Sequence, residues 1–115
     1  MLDRGPPAYS TSSREKAMLW VIHLLDKADS GPLRVAHLEA HKAYLHRMDP
    51  VCFFTGPLQS DDASRNVGSL WIISANSRAE AQAFVEGEAF FQAGVFQSYQ
   101  IHRLRMGHFH PELVS

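Results

Sequence analysis

The fold is decided by residues 18–25, which read Met18-Leu19-Trp20-Val21-Ile22-His23-Leu24-Leu25. This short, nearly continuous apolar run is typical of a β-strand that is covered on both faces. A strand with one wet face would alternate apolar and polar residues instead. The run therefore predicts a central strand, and other parts of the molecule must cover both of its faces.

A helix is predicted to follow, from about Leu33 to Met48. It comes after a polar turn at residues 26–32, and Asp49-Pro50 ends it because a residue before proline disfavours the α conformation. Within the helix, apolar residues recur at steps of three and four, which indicates one buried face. These residues are Leu33, Ala36, Ala40, Tyr44 and Met48.

Further strands are predicted at residues 51–55, 69–74 and 99–106, with Gly56-Pro57 ending the first of these. A second helix is predicted to begin at Ser77, where Ser77-Arg78-Ala79-Glu80 has the capping-box pattern. Gly94 is predicted to end the helical region in a left-handed conformation. The order βαββαβ predicts an α+β fold, a ferredoxin-like antiparallel sheet with both helices on one face.

The domain organisation follows from length and composition. The chain has 115 residues, enough for one domain. Residues 1–17 lack a periodic apolar pattern and are predicted to be a flexible extension. Residues 18–106 are predicted to form the domain, and residues 107–115 a tail. Because both faces of the first strand are apolar, we expect a homodimer that packs sheet against sheet.

Charge and cysteine content exclude several classes of protein. Eleven Lys and Arg against twelve Asp and Glu give a formal net charge of −1, which argues against a nucleic-acid partner. No apolar run is long enough to span a membrane, and the single cysteine, Cys52, allows no internal disulfide. The sequence therefore predicts a cytoplasmic protein, with Cys52 as a small buried hydrophobe.

His37 is the candidate functional residue of the first helix. It falls between Leu33, Ala40 and Tyr44 in the apolar stripe, and a buried ionisable ring needs a partner. Either a structural hydrogen bond or a role in chemistry satisfies that need. His37 and His41 have a spacing that can bind zinc, but no clear third ligand accompanies them, so no metal and no cofactor are expected.

Five segments together resemble the YciI-like (YCII-related) family of small dimeric α+β barrel proteins over about residues 18–105. The segments that carry the resemblance are Met18-Leu19-Trp20-Val21-Ile22, Asp26-Lys27-Ala28-Asp29-Ser30, Arg34-Val35-Ala36-His37-Leu38, Thr55-Gly56-Pro57-Leu58 and Glu88-Ala89-Phe90-Phe91-Gln92-Ala93-Gly94-Val95.

The resemblance implies a small-molecule pocket with a histidine and a carboxylate. It places the histidine at His37 and the carboxylate at Glu88, where the family has Asp followed by Pro. Glu88 keeps the charge but is one methylene longer, and Ala89 replaces the rigid proline. One relative is similar to a dehydrochlorinase acting on a hydroxylated ring, which implies proton abstraction or elimination.

Two functional hypotheses follow. In the first, His37 is a general base oriented by Glu88 and acts on a small cyclic or aromatic substrate. Asp26 and Asp29 are alternative partners of His37, and their other role is turn formation. Candidate substrate-binding residues are Arg34, Asp26, Gly56 and Pro57. In the second hypothesis the protein is a non-catalytic dimeric binding module with a structural histidine.

Overall fold

The computed structural model describes residues 18–113, so the predicted extension at residues 1–17 lies outside the described residues. The strands are β1 (Leu19–Asp26), β2 (Cys52–Gln59), β3 (Asn66–Ser74) and β4 (Phe96–Leu104). The helices are α1 (Gly31–Ala36), α2 (Leu38–Arg47), α3 (Arg78–Glu86) and α4 (Ala89–Ala93), with short 3-10 turns at Asp49–Val51 and Pro111–Leu113. None of the helices in the described chain is long and apolar enough to cross a membrane.

The four strands form one antiparallel sheet in the order β2-β3-β1-β4. The predicted βαββαβ order and ferredoxin-like α+β architecture are therefore confirmed. The strand β1 is central as predicted, with Ile22 opposite Trp71 on one side and opposite Ile101 on the other.

The hydrophobic core lies between the helices and one face of the sheet. Alternate residues of β1 are buried there, because successive side chains of a strand point to opposite faces. The indole Nε1 of Trp20 donates to the carbonyl oxygen of Ala75 at 3.0 Å, so this buried polar group is satisfied. Nine residues form the centre of this core: Trp20, Ile22, Leu24, Trp71, Ile73, Phe84, Val85, Phe90 and Val95.

The second face of the sheet is uncovered in the single chain. On β1, Leu19 and Val21 are only partly buried, and His23 and Leu25 are exposed. The prediction that both faces of β1 are covered is therefore wrong for one copy of the chain, since all the packed helices share one face.

The first predicted helix is wrong in its continuity. The helix breaks at His37, whose φ of −111° and ψ of 14° lie outside the helical range, and α2 starts at the next residue. The predicted apolar stripe is also wrong in its first half, because Val35 is 78% exposed and Leu33 and Ala40 are exposed too. Arg34 and His41 point inward in their place, while Tyr44 and Met48 are buried as predicted.

The strand β2 is longer than predicted. It continues through Gly56 and Pro57 to Gln59 instead of ending there. A proline is tolerated because β2 lies at the edge of the sheet and pairs with β3 alone. The strands β3 and β4 each start three residues earlier than predicted, at Asn66 and Phe96.

The signals that bound α3 and α4 are confirmed. The hydroxyl of Ser77 accepts a hydrogen bond from the backbone N–H of Glu80 at 3.2 Å. The Glu80 carboxylate reaches back to the N–H of Asn76, one residue before the cap. Gly94 ends α4 with a φ of +85°, the left-handed conformation that glycine adopts without strain.

Candidate active site

A cavity of about 510 Å³ lies between the first two helices and the strands β2 and β3. The helix α1 directs Arg34, and α2 directs His41, to the wall of this one cavity. Its walls are mostly apolar and contain no acidic side chain among the described residues. They are formed by Arg34, Val35, Leu38, His41, Lys42, Leu45, Thr55, Gly56, Pro57, Asn66, Ser69, Trp71 and Phe90.

The central contact of the site joins His41 to Glu88. The Nδ1 atom of His41 lies 2.5 Å from Oε2 of Glu88, and the His41 side chain is 16% exposed. Within residues 18–113, Nε2 of His41 has no hydrogen-bond partner. Because a carboxylate accepts, Nδ1 carries the proton of the neutral ring, and the lone pair is on Nε2.

Glu88 is held in place by the start of α4. It is the N-cap residue of this helix, and its Oε1 accepts from the N–H groups of Phe90 at 3.0 Å and Phe91 at 3.3 Å. The side chain is fully buried. Both carboxylate oxygens of Glu88 therefore have hydrogen-bond partners, which a buried carboxylate requires: Oε1 has the backbone N–H groups, and Oε2 has His41.

The ring of Phe90 fixes the plane of the imidazole. It stacks on His41 with 4.0 Å between centroids and 6° between planes. Phe90 follows two residues after Glu88 on α4, so one short helix supplies both the hydrogen bond and the stacking surface. His41 is thus restrained in rotation by two contacts from the same element.

The predicted pairing of His37 with Glu88 is wrong. His37 is half-buried at the junction of α1 and α2, where its N–H donates to Leu33 and its carbonyl accepts from His41. It is absent from the cavity wall and from the hydrogen bonds of Glu88 in the part of the chain that the structure describes. The physical reason is that His37 itself has non-helical φ and ψ at the junction of the two helices, while Arg34 and His41 form the inner face on either side of it.

Arg34 forms a second buried polar cluster. Its Nε and Nη2 donate to the two carboxylate oxygens of Asp26 at 2.8 and 2.9 Å. Nη2 also lies 2.9 Å from the carbonyl of Gly68 and 3.1 Å from Oγ of Ser69. The predicted role of Asp26 as a partner of His37 does not appear, since its carboxylate binds Arg34 and Ser30.

The other predicted residues divide between the cavity and its surroundings. Gly56 and Pro57 line the cavity, as does Arg34. Asp26 lies behind Arg34 and borders a neighbouring hollow. Asp29 is an exposed turn residue with a φ of +60°, in keeping with its alternative role in the turn.

A buried tyrosine and a half-buried cysteine near the site have raised pKa values. Burial, and secondly the charge of Glu88, raise the pKa of the Tyr44 hydroxyl to about 12. This hydroxyl donates to the carbonyl of Phe84 at 2.8 Å. Burial likewise raises the pKa of the Cys52 thiol to about 11, which agrees with an inert packing role.

His41 is a candidate functional residue that the sequence analysis considered only for its zinc-binding spacing with His37. A signal for it exists, because Arg34, His41, Tyr44, Leu45 and Met48 recur at helical spacing and form the inner face. Because this set contains Arg34 and His41, it is less apolar than the stripe that was predicted to begin at Leu33. The usual pattern rule fails because polar side chains here are paired inside the fold.

The fold and site define a class of proteins: small α+β domains with a histidine–carboxylate pair at the wall of a pocket. Residues 18–105 match the model of the YCII-related domain, and the chain belongs to this family. No curated protein matches the chain.

Among solved structures, the chain is similar to 5-chloro-2-hydroxyhydroquinone dehydrochlorinase from Burkholderia phenoliruptrix AC1100, in complex with 2,5-dihydroxybenzoquinone. The identity is 31%, the TM-score is 0.71, and the match covers 78% of this chain and 96% of the enzyme. A Pseudomonas aeruginosa protein matches with 13% identity and a TM-score of 0.47, over 79% of this chain and 95% of the other. We therefore draw on the first similarity alone beyond the fold.

Proposed function

We propose that this protein is a general acid–base enzyme of the lyase type that removes a proton from a small hydroxylated cyclic substrate. The observation that carries the proposal is the contact between Nδ1 of His41 and the buried carboxylate of Glu88, with Nε2 free at the cavity wall. His41 takes the role of base that the sequence pattern gave to His37.

The geometry supports His41 as a general base, which accepts a proton from the substrate. Glu88 accepts a hydrogen bond from Nδ1–H of His41, so the lone pair of the neutral ring is on Nε2 and can accept a substrate proton. As the imidazolium forms, Glu88 faces it at hydrogen-bond distance and stabilises the new charge. Stacking on Phe90 prevents the ring from turning away between the two states.

The composition of the cavity favours a flat, electron-rich substrate. Trp71 and Phe90 supply aromatic surface, and Arg34, His41 and Lys42 are basic. With no acidic side chain among the described wall residues, a phenolate or enolate meets no like charge there. A volume of about 510 Å³ accommodates a single substituted ring.

The similar dehydrochlorinase supports the class of reaction. Loss of hydrogen chloride needs a base that accepts the proton while chloride departs with the electrons of its bond to carbon. Nε2 of His41 is suited to the first task, and the open side of the cavity lets the anion leave. We therefore propose elimination, with dehydrochlorination of a hydroxylated chloroaromatic ring as the reaction to test first.

The test combines binding and turnover. 2,5-Dihydroxybenzoquinone is titrated into the protein by calorimetry, and chlorinated hydroxyhydroquinones are screened for chloride release. We expect binding and turnover by the natural sequence, and a 10²- to 10⁴-fold lower kcat for His41→Asn, roughly the contribution of one general base.

His46→Asn is the matched control, because His46 is an exposed histidine of the same helix. It should leave turnover unchanged. The enzyme proposal fails if no hydroxylated ring is turned over, or if His41→Asn retains the activity of the control.

One observation favours a non-catalytic binding module as the second candidate. Glu88 already has a structural task, since its Oε1 caps α4. In that case His41 serves to neutralise the remaining carboxylate oxygen. Binding of 2,5-dihydroxybenzoquinone without turnover of any chlorinated analogue would favour this candidate.

The uncovered sheet face supports a homodimer. By the strand register, Val21, Ile72 and Phe54 lie side by side on this face, away from the core. The outward positions of the four described strands carry no Lys, Arg, Asp or Glu, so two copies can face each other without repulsion. They are Leu19, Val21, His23, Leu25, Phe54, Gly56, Leu58, Gly68, Leu70, Ile72, Ser74, Ser98, Gln100, His102 and Leu104.

Sedimentation measures the dimer directly. The natural chain should sediment as a dimer, and Ile72→Arg should yield monomers, whereas Ala79→Arg on the exposed surface of α3 should not. A monomeric natural chain at micromolar concentration would contradict this part of the proposal. A cytoplasmic location and the lack of a nucleic-acid partner remain predictions of the sequence.

A further inference from the structure

We infer that Ser69 is an oxyanion-binding residue, which donates its hydroxyl hydrogen to a substrate oxygen in the cavity, and that Arg34 and Asp26 position it. This inference rests on the proposed function, because it assigns the group that recognises the hydroxylated ring. The roles of the two residues are complementary. His41 accepts a proton from the substrate, and Ser69 stabilises the negative charge that remains on the substrate oxygen.

The first observation is the hydrogen-bond state of Ser69. Its Oγ accepts from Nη2 of Arg34 at 3.1 Å. In residues 18–113 its own hydrogen has no acceptor, although the residue is only 3% exposed. A buried hydroxyl is stabilised when its hydrogen meets an acceptor, so a ligand oxygen that accepts from Ser69 is favoured at this position.

The second observation is the position of Ser69. It lies on β3 and forms part of the same cavity wall as His41, Trp71 and Phe90. A ring resting against the aromatic residues therefore has a base and a hydroxyl donor within one enclosure. This arrangement suits a substrate whose oxygen becomes an anion when a proton is removed.

The third observation is the polarisation of the hydroxyl. Arg34 carries a full charge, and its guanidinium donates to Ser69, which makes the Ser69 hydrogen a stronger donor. The carboxylate of Asp26 accepts from Nε and Nη2 of Arg34, and the carbonyl of Gly68 accepts from Nη2 as well. These hydrogen bonds restrain the guanidinium, so Ser69 is oriented before a ligand binds.

The test uses 4-nitrophenol as the probe, because its phenolate absorbs visible light. The natural protein and Ser69→Ala are titrated with the probe across a range of pH. We expect the natural protein to bind the phenolate more tightly than the phenol. The ionisation midpoint of the bound probe should therefore lie at lower pH than that of free nitrophenol.

In Ser69→Ala the phenolate should bind about 10- to 100-fold more weakly, the usual range for losing one hydrogen bond to a charged group. The ionisation midpoint should return toward the value of free nitrophenol. Nitrobenzene, which lacks the phenolic oxygen, should bind equally to both proteins. Ser74→Ala is the matched control, since Ser74 lies on the same strand but on the opposite face.

The inference is overturned if Ser69→Ala binds the phenolate as tightly as the natural protein, or if it loses nitrobenzene binding to the same degree. If Ser69→Ala does not fold, Ser69→Cys provides the comparison, because a thiol fills the position but donates weakly. If the natural protein binds neither nitrophenol nor 2,5-dihydroxybenzoquinone, the proposed function and this inference both fail. If it binds both and only the Ser69 comparison shows no difference, the proposed function survives alone.

Discussion

Two polar clusters lie on the inner face of the first two helices, one around Arg34 and the other around His41, seven residues later. They differ in one respect. Asp26 and Glu88 are both almost fully buried, and each binds a basic residue from this face. Arg34 donates to oxygens of Asp26, Gly68 and Ser69, and its guanidinium can only donate, whereas His41 has one partner and a lone pair on Nε2. Of the two basic residues, only His41 can therefore accept a proton from a ligand.

The largest effect should come from Glu88→Gln. The Gln carbonyl can still accept from Phe90 and Phe91, so the cap of α4 survives. The Gln amide then faces Nδ1 of His41 as a donor, which moves the imidazole proton to Nε2 and removes the base. We expect kcat to fall about 10²- to 10⁴-fold with little loss of stability, measured by initial rates and thermal unfolding. An active Glu88→Gln variant would remove the distinction between the two clusters.

Asp26→Asn should have the opposite profile. It leaves the buried guanidinium of Arg34 without a counter-charge, which costs about 3–5 kcal/mol of unfolding free energy. Turnover per folded molecule should change less than in Glu88→Gln. Urea unfolding combined with kcat at a temperature where the variant is folded checks this. A loss of kcat larger than that of Glu88→Gln would place the chemistry at Arg34.

Tyr44 provides a smaller effect that reports on Glu88. Because the folded pKa is about 12 against an ordinary value of 10.0, the unfolded chain ionises first as the pH rises. The contribution of Tyr44 to stability is therefore complete below pH 10 and is lost between pH 10 and 12. Tyr44→Phe should flatten the fall of unfolding free energy over that window.

In Glu88→Gln the pKa of Tyr44 in the folded protein should drop, because the charge of Glu88 no longer raises it. The contribution of Tyr44 to stability should then be lost over a narrower pH range, with a lower upper limit. Spectrophotometric titration of tyrosine, with Tyr44→Phe as the baseline, measures this. An unchanged pKa of Tyr44 would mean that the charge of Glu88 does not contribute to it.

The smallest effect should come from His37→Asn. His37 lies at the junction of the helices, and side chains in such partly exposed positions contribute within about 0.5 kcal/mol. Stability and turnover should both stay close to those of the natural chain. A loss of activity like that of His41→Asn would restore His37 as the base and reverse the assignment.

Much of the fold could be predicted because its signals are local. The apolar run of β1, the Ser77 cap and the left-handed Gly94 each depend on neighbours within a few residues. Predictions failed where packing decides. Gly56-Pro57 looked like a strand end, but a proline only weakens a strand that has a neighbour on its N–H side.

For the site, the resemblance named Glu88 but paired it with His37, whereas in the structure Glu88 contacts His41. Arg34, Gly56 and Pro57 do line the cavity, whereas His37 does not. The residues that matter most are distant along the chain: His41 and Glu88 are 47 residues apart, and Arg34 and Ser69 are 35 apart. No local pattern records which of several helix residues meets a partner so far away.

The sequence by itself determined the number and order of the strands, the Ser77 cap that begins α3 and the Gly94 residue that ends α4. These depend on backbone sterics and on hydrogen bonds between near neighbours, which the chain carries wherever it folds. Only the tertiary structure decided that the helix breaks at His37 and that α4 packs where Glu88 meets His41. Burial of a charge is tolerated only beside its partner, and that partner is chosen by the packing of whole elements.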